Sequence, residues 1–321
     1  MITFFEQWGM FIEQSPTLFG QSSIHDTPES RVNGSLTELT RLSLPGSGLR
    51  LVADAVGAPD APTLLFLHGS GQTRQSWGRA LEEAARRGYR ALSLDLRGHG
   101  DSEWAPDGSY TLERFAADVR QVIEHLGTEP ILVGASLGGI VGMLIGASPP
   151  PRLRGLVLVD ITPRVEMSGA KEVTAFMNSA PDGFESLEQA AEAVAAYLPH
   201  RPRPKDTSGL QRNLRLRNGR YYWHWDPALL QMGRNAETAS AFNGPNPLEK
   251  AARALQIPTL LIRGRRSRIV SESGVREFLE MVPHAEFVDI SDAHHMVAGD
   301  ANDAFNEAVF TFVDKQTQRA V

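Results

Sequence analysis

The chain has 321 residues, no cysteine, and 32 Lys+Arg against 38 Asp+Glu, for a formal charge of −6. With 41% apolar and 22% charged residues it fits a globular protein of one large or two moderate domains, not a disordered chain. The missing cysteine excludes disulfides, thiolate metal sites, Fe–S clusters and cysteine nucleophiles, and the mild negative charge argues against non-specific nucleic-acid binding.

The chain begins with a locally apolar run, MITFFEQWGMFIEQ. Glu6 and Glu13 interrupt it and no basic segment precedes it, so it is not a good secretory signal. Elsewhere no stretch approaches the roughly 18 apolar residues of a membrane span. A cytoplasmic location is expected. Residues 1–35 read as an N-terminal arm packed on the body of the protein. A homodimer contact and a flap over the active site are the alternatives.

From about residue 36, strands and helices alternate. Thr37–Leu44 and Leu49–Val56 read as strands joined by a Pro-Gly-Ser-Gly turn. Thr63–Leu67 is a short apolar strand ending in His68-Gly69-Ser70-Gly71. Trp77–Arg87 has helical periodicity, and Arg90–Leu94 is a strand running into Asp95–Ser102. Leu112–Leu126 is an amphipathic helix stopped by Gly127. Pro130–Val133 is a strand, Ile140–Ala147 an apolar helix ended by three prolines, and Leu153–Val159 a buried strand. Continuous apolar strands separated by helices predict an α/β fold with a mostly parallel central sheet covered on both faces.

The rhythm breaks at Arg164. From there to Glu249 the sequence is polar and helical, with a Pro-rich break at His200–Lys205 and aromatics at Tyr221, Tyr222, Trp223 and Trp225. Strand and helix then resume at Ile257–Arg263, Val275–Met281, Glu286–Ile290 and Ala304–Asp314. The organisation is therefore a core of residues 36–163 and 250–321, with residues 164–249 as a helical cap insert.

Gly134-Ala135-Ser136-Leu137-Gly138 is a G-x-S-x-G pentapeptide that follows an apolar strand and opens an apolar helix. That context forces the serine into a strained turn and exposes its side chain at the carboxyl end of the sheet. The helix N-terminus favours negative charge there. A serine nucleophile needs a base. Of nine histidines, His68 and His99 sit in glycine-rich loops and read as loop-shaping. His294 and His295 follow a late strand and precede a helix. His295 is the preferred base and His294 the alternative. Oxyanion donors would be the backbone N–H groups of Leu137 and of Ser70.

With these residues in hand, the chain resembles the α/β-hydrolase superfamily over about residues 36–318. The resemblance rests on His68–Gly71, on Asp95–Ser102, on the serine turn and on Ser291–Met296. It implies an α/β-hydrolase fold in which a serine attacks, an acid follows in the chain, and a histidine comes last. A serine at the turn points away from haloalkane dehalogenases and epoxide hydrolases. The resemblance implies cofactor-independent cleavage of esters, lactones, amides, thioesters or C–C bonds, or perhydrolysis, with no metal. In the family the acid follows the strand matching Thr259–Arg263. Here Arg268 stands at that position, and a cation there cannot orient an imidazole.

Three readings of the vacated acid position follow. Asp160, at the end of Leu153–Val159, supplies the acid, as in some family members, or is a structural residue at the cap hinge. A Ser–His pair works alone at reduced rate. Or the chain binds a ligand without turning it over. His68 and Gly69, with Trp223 and Trp225 from the insert, are the candidate pocket residues. Met167, Phe176 and Met177 add to that apolar inventory, which suits a medium-sized, partly apolar small-molecule substrate. Arg212, Arg215, Arg217 and Arg220 form a basic cluster that faces solvent or receives a substrate carboxylate. The preferred function is a serine hydrolase of small carboxylic esters or lactones acting through an acyl-enzyme, impaired if Arg268 leaves it without an acid. The alternatives are a non-catalytic binding protein and a C–C hydrolase or perhydrolase.

Overall fold

Two antiparallel strands, β1 (Thr40–Pro45) and β2 (Arg50–Val56), start the main sheet of the computed structural model, which describes residues 38–201, 206–234 and 246–318. The arm expected over residues 1–35 lies outside the described residues. Then come β3 (Thr63–Leu67), α1 (Gly78–Arg86), β4 (Arg90–Asp95), α2 (Leu112–Leu126), β5 (Ile131–Ala135), α3 (Leu137–Gly146) and β6 (Gly155–Val159). The insert carries α4 (Met167–Met177), α5 (Leu187–Tyr197) and a hairpin of β7 (Leu214–Arg217) and β8 (Arg220–Trp223). The chain returns through α6 (Pro247–Ala254), β9 (Thr259–Gly264), α7 (Glu272–Met281), β10 (Glu286–Ile290), α8 (Val297–Asp300) and α9 (Asn302–Gln318).

The main sheet has the order β1-β2-β4-β3-β5-β6-β9-β10. The β1–β2 and β2–β4 pairs are antiparallel, and the pairs from β4 to β10 are parallel. This is the expected mostly parallel sheet flanked by helices. Alternation along each strand builds the two faces. On β3, Leu65 and Leu67 join the core beneath α2 and α3, while Leu64 and Phe66 join the core beneath α1 and α9. All five β3 residues are buried, which explains why the strand reads as a continuous apolar run. α2 is bounded as its sequence suggests. Thr111 accepts a hydrogen bond from Arg114 N–H, and Gly127 takes the left-handed conformation at φ 64°. None of the described helices is long and apolar enough to cross a membrane.

The insert departs from its helical expectation at the β7–β8 hairpin. Asn218 and Gly219 both have positive φ (50° and 77°), as a two-residue hairpin turn requires. Its aromatics pack on one another. Trp223 stacks on Trp225 at 5.0 Å, Phe176 on Tyr197 at 4.3 Å, and Phe184 meets Trp223 edge-on at 5.1 Å. The arginines act as ties. Arg215 donates to Gly100 O at 2.6 Å and pairs with Asp101 at 2.8 Å. Arg220 donates to the carbonyls of Asp182 and Gly183, and Arg217 lies over the Trp104 ring at 4.8 Å. Three of the four arginines thus hold the insert to itself or to the core rather than facing a substrate carboxylate.

Candidate active site

Ser136 sits at the sharp turn between β5 and α3 with φ 47° and ψ −113°. A non-glycine residue there costs on the order of 1–3 kcal/mol and persists only where its surroundings enforce it. Its N–H donates to Val159 O at 3.1 Å, and its carbonyl accepts from Ile140 N–H. The flanking glycines are a steric requirement. A Cβ on Gly134 would lie 2.4 Å from the Gly138 backbone, and one on Gly138 would lie 2.4 Å from Leu67 O. The small residues in the pentapeptide let strand and helix approach closely enough to expose the serine.

Asp160 directly follows β6. Its N–H donates to Ile262 O at 2.7 Å, and its φ of 50° turns the side chain off the sheet edge. The carboxylate is completely buried. Its Oδ1 accepts from Gly264 N–H at 3.1 Å, and its Oδ2 accepts from the Ser267 hydroxyl and from His295 Nδ1 at 2.7 Å. An ionised carboxylate only accepts, so Nδ1 is the donor in this contact, and in the neutral imidazole that tautomer leaves the Nε2 lone pair free. His295 and Ser136 line the same cleft. The loops after β9 and β10 are stapled together, which brings the histidine to Asp160. Arg265 N–H donates to Ile290 O and Arg266 N–H to Ala293 O, both at 2.9 Å. A Cβ on Gly264 would lie 2.3 Å from His294 O.

His294, the alternative base, is drawn elsewhere. It stacks on His200 at 3.7 Å, and its N–H donates to Asp300 Oδ2 at 2.8 Å. Burial, then the neighbouring His200, lower its pKa. Among the described residues, His200, His294 and Asp300 form a group with metal-ligand spacing, all ligand atoms lying within 4.8 Å. Arg201 Nε already donates to the Asp300 carboxylate at 2.8 Å and neutralises it. Arg268 has 66% of its side chain exposed and pairs with Glu172 of α4 at 2.6 Å. It points away from Asp160 and His295 and places no cation beside the imidazole.

The loop after β3 is held at every residue around Ser70. Gly69 N–H donates to Gln72 Oε1, and Gln72 N–H donates back to Gly69 O. Gly69 O also accepts from His68 Nδ1 at 2.8 Å, and Gly71 N–H donates to His99 Nε2 at 3.2 Å. His68 Nε2 accepts from Leu96 N–H, which fixes its tautomer. Burial pushes His68 down to about 4 and His99 down to about 3, so both stay neutral near pH 7. This is the loop-shaping role expected of them. Ser70 lines the cleft beside Ser136. Leu137 is the first residue of α3, where a helix leaves its N–H without an intrahelical acceptor.

Two cavities meet at Ser136. One is a narrow cleft of about 50 Å³ that includes Gly69, Gln72, Ser76, His295 and Met296. The other, of about 810 Å³, lies between α3, α4 and the Pro227–Arg234 turn. Of the expected pocket residues, Gly69 and Phe176 line the cleft, and Met167 and Met177 line the large cavity. His68 lies behind the loop with no exposed surface and faces neither cavity. Trp223 and Trp225 face neither as well, because their rings are consumed by packing on Phe176 and Phe184. Trp225 instead backs the Gly71 turn, 3.5 Å from where a Cβ would stand. The pocket is otherwise walled by residues that sequence reasoning passed over, including Ile140, Ile161, Val165 and Ala170.

A family model described as the alpha/beta hydrolase fold matches residues 62–301. Esterase Rv0045c of Mycobacterium tuberculosis is 30% identical over 303 residues, spanning 89% of this chain and 92% of that protein. Its crystal structure gives a TM-score of 0.68 at 29% identity, over 88% of this chain and 93% of that one. A 2-(acetamidomethylene)succinate hydrolase of Mesorhizobium japonicum is 28% identical, over 79% of this chain and 88% of that protein. A crystal structure of E-2-(acetamidomethylene)succinate hydrolase gives a TM-score of 0.75 at 23% identity, over 86% of this chain and all of that one.

Proposed function

Because this chain belongs to the α/β-hydrolase fold family, we propose that it is a cofactor-independent serine hydrolase that cleaves small carboxylic esters or lactones through an acyl-enzyme. The observation that carries the reading is the 2.7 Å contact between buried Asp160 and His295, in a cleft that also holds a strained serine. Ser136 Oγ attacks the carbonyl carbon while His295 Nε2 takes its proton. Asp160 holds the tautomer and stabilises the imidazolium that forms. The N–H groups of Ser70 and Leu137 receive the developing oxyanion, each worth roughly 3 kcal/mol of barrier. The protonated His295 gives its proton to the leaving oxygen. Water then attacks the acyl-enzyme with His295 as base, and Ser136 is released.

On this reading Arg268 does not impair the enzyme. The acid is Asp160, one strand over, and the solvent-facing Arg268–Glu172 pair leaves it undisturbed. The motive for a non-catalytic binding protein falls away with that. The hydrolases among the relatives support the class of reaction. The test is hydrolysis of p-nitrophenyl acetate and butyrate by the parent and by Ser136→Ala. Turnover by the parent, lost in the variant to the buffer rate, supports the proposal. Equal rates in the two proteins would end it.

A further inference from the structure

The tetrahedral intermediate formed on Ser136 has four substituents, and each needs its own direction. One is Oγ itself. The oxyanion points at the N–H groups of Ser70 and Leu137. The leaving oxygen must lie within hydrogen-bond reach of His295, which protonates it. The acyl chain takes whatever space remains. The two cavities divide along these lines. His295 lines the narrow cleft and not the large cavity, whereas Leu137 lines the large cavity and not the cleft. Ser70 and Ser136 lie at their junction.

From this division we infer that the acyl group occupies the 810 Å³ cavity and the leaving alcohol the 50 Å³ cleft, so that the preferred substrates are esters of medium to long apolar acids with short alcohols. The inference rests on the serine-hydrolase reading. The walls of the large cavity suit an alkyl or aryl acyl chain. Ile140, Ile161, Val165, Ala170 and Met232 line it, together with polar groups at Lys171 and Asn178. Its volume matches the few hundred to about 1,000 Å³ of ordinary small-molecule sites. The cleft is distinguished by its size rather than its polarity: Gln72 and Ser76 sit among apolar walls from Trp77, Phe176 and Val297. It holds a short alcohol and, after that alcohol leaves, the attacking water.

The steps balance on this placement. In acylation the Ser136 Oγ–C bond forms, the C–O bond to the alcohol breaks, and the serine proton passes through His295 to the alkoxide. In deacylation a water in the emptied cleft gives its proton to His295 and its oxygen to the acyl carbon. The Oγ–C bond then breaks and Oγ takes the proton back. The acyl chain never leaves the large cavity between the two halves.

Isomeric unactivated esters test the inference. Methyl octanoate and heptyl acetate have the same composition and differ only in which side of the carbonyl is long. A p-nitrophenyl ester cannot separate the two sites, because its leaving group departs as an anion without a proton from His295. In a pH-stat assay, kcat/KM for methyl octanoate is expected to exceed that for heptyl acetate by at least about tenfold, since each buried methylene adds to binding. Ala170→Trp places bulk in the large cavity. It is expected to lower the ratio of methyl octanoate to methyl acetate turnover by about tenfold or more, in protein whose circular dichroism matches the parent. Equal rates on the two isomers, or a preference for heptyl acetate, would overturn the assignment even if Ala170→Trp fails to fold. If p-nitrophenyl butyrate is still cleaved in a Ser136-dependent way, that outcome leaves the serine-hydrolase reading standing. Absence of Ser136-dependent p-nitrophenyl butyrate turnover would overturn the reading and the inference together.

Discussion

Asp160→Asn separates the acid from every other feature of the site. Asparagine keeps the volume and, like aspartate, tolerates the positive φ of 50° at this position. Its carbonyl oxygen stays on Gly264 N–H, where Oδ1 now sits at 3.1 Å. That puts the amide nitrogen where Oδ2 meets His295 Nδ1 at 2.7 Å. A donor there forces the imidazole proton onto Nε2, the nitrogen that must accept from Ser136. The opposite amide orientation gains nothing, because it sets an N–H against the N–H of Gly264. Ser267 adds to the conflict. Its oxygen already accepts from the N–H groups of Ile269 and Val270 at 3.0 and 3.3 Å, so its proton is committed to Asp160.

The wrong tautomer in a serine–histidine–aspartate site costs about 10⁴ in kcat. That is about 5.5 kcal/mol of barrier at 1.36 kcal/mol per decade. The expected result is a kcat on p-nitrophenyl butyrate lowered by about 10³ to 10⁴, in protein whose circular dichroism matches the parent and whose stability falls by about 1–3 kcal/mol because the buried Ser267 proton loses its acceptor. Arg268→Asp is the control. It breaks an exposed ion pair worth at most about 1 kcal/mol and leaves kcat within about threefold. A kcat for Asp160→Asn within tenfold of the parent, or a large gain for Arg268→Asp, refutes the assignment of the acid.

Three further expectations concern stability. His68 and His99 are held neutral in the fold at about 4 and about 3. The unfolded chain binds protons near pH 6.5, so stability is full above that pH and is lost as pH falls toward the folded values. Urea unfolding between pH 7 and pH 4.5 should show a falling free energy, with a slope of up to about 1.4 kcal/mol per pH unit for each histidine. In His68→Gln that slope should shrink by about one proton's worth. Gly138→Ala drives a Cβ to within 2.4 Å of a backbone oxygen that has little room to move. It should cost about 2 kcal/mol or more in thermal denaturation. Asp118→Ala leaves the Arg97 guanidinium buried without its paired carboxylate, now 2.6 Å away, and removes the acceptor of Ser47 N–H. A loss of about 3–5 kcal/mol is expected in the same measurement.

The serine was legible because local sequence alone determines the turn: an apolar strand, three glycines around a serine, then an apolar helix. The choice between His294 and His295 rests on what each ring meets. One meets His200 and the other Asp160, and both contacts cross more than 90 residues of sequence. The β7–β8 hairpin carried a usable signal in Asn218-Gly219, with Leu214 and Leu216 alternating before it and Tyr221 and Trp223 after it. The surrounding helical context masked it. The pocket was the least legible part. Large aromatics suggest a binding surface, but in the insert Trp223 and Trp225 are consumed by stacking, while Phe176 and Tyr197 reach the cleft. The large cavity is lined by Met167 and Met177, which the sequence named, and by residues of α3 and of the segment before α4, such as Ile140 and Val165, whose direction depends on how α3 and α4 face each other.

On the proposed assignment, the place of the acid follows from the sheet. β6 and β9 are parallel neighbours with Val159 opposite Ile262, so their carboxyl ends emerge side by side. A carboxylate leaving either end can reach an imidazole that hangs over both. Asp160 does so from β6 by extending the ladder one step, its N–H on Ile262 O, and then turning at positive φ. With Asp160 in that place, the loop after β9 makes other contacts. Its Ser267 and Gly264 donate to Asp160, and Arg268 reaches outward to Glu172. Its backbone lies against α4, where a Cβ on Gly169 would stand 2.3 Å from Arg268 O. A carboxylate restored at position 268 would therefore project toward α4 and solvent. It would have to displace both the helix contact and the buried Asp160 to serve His295.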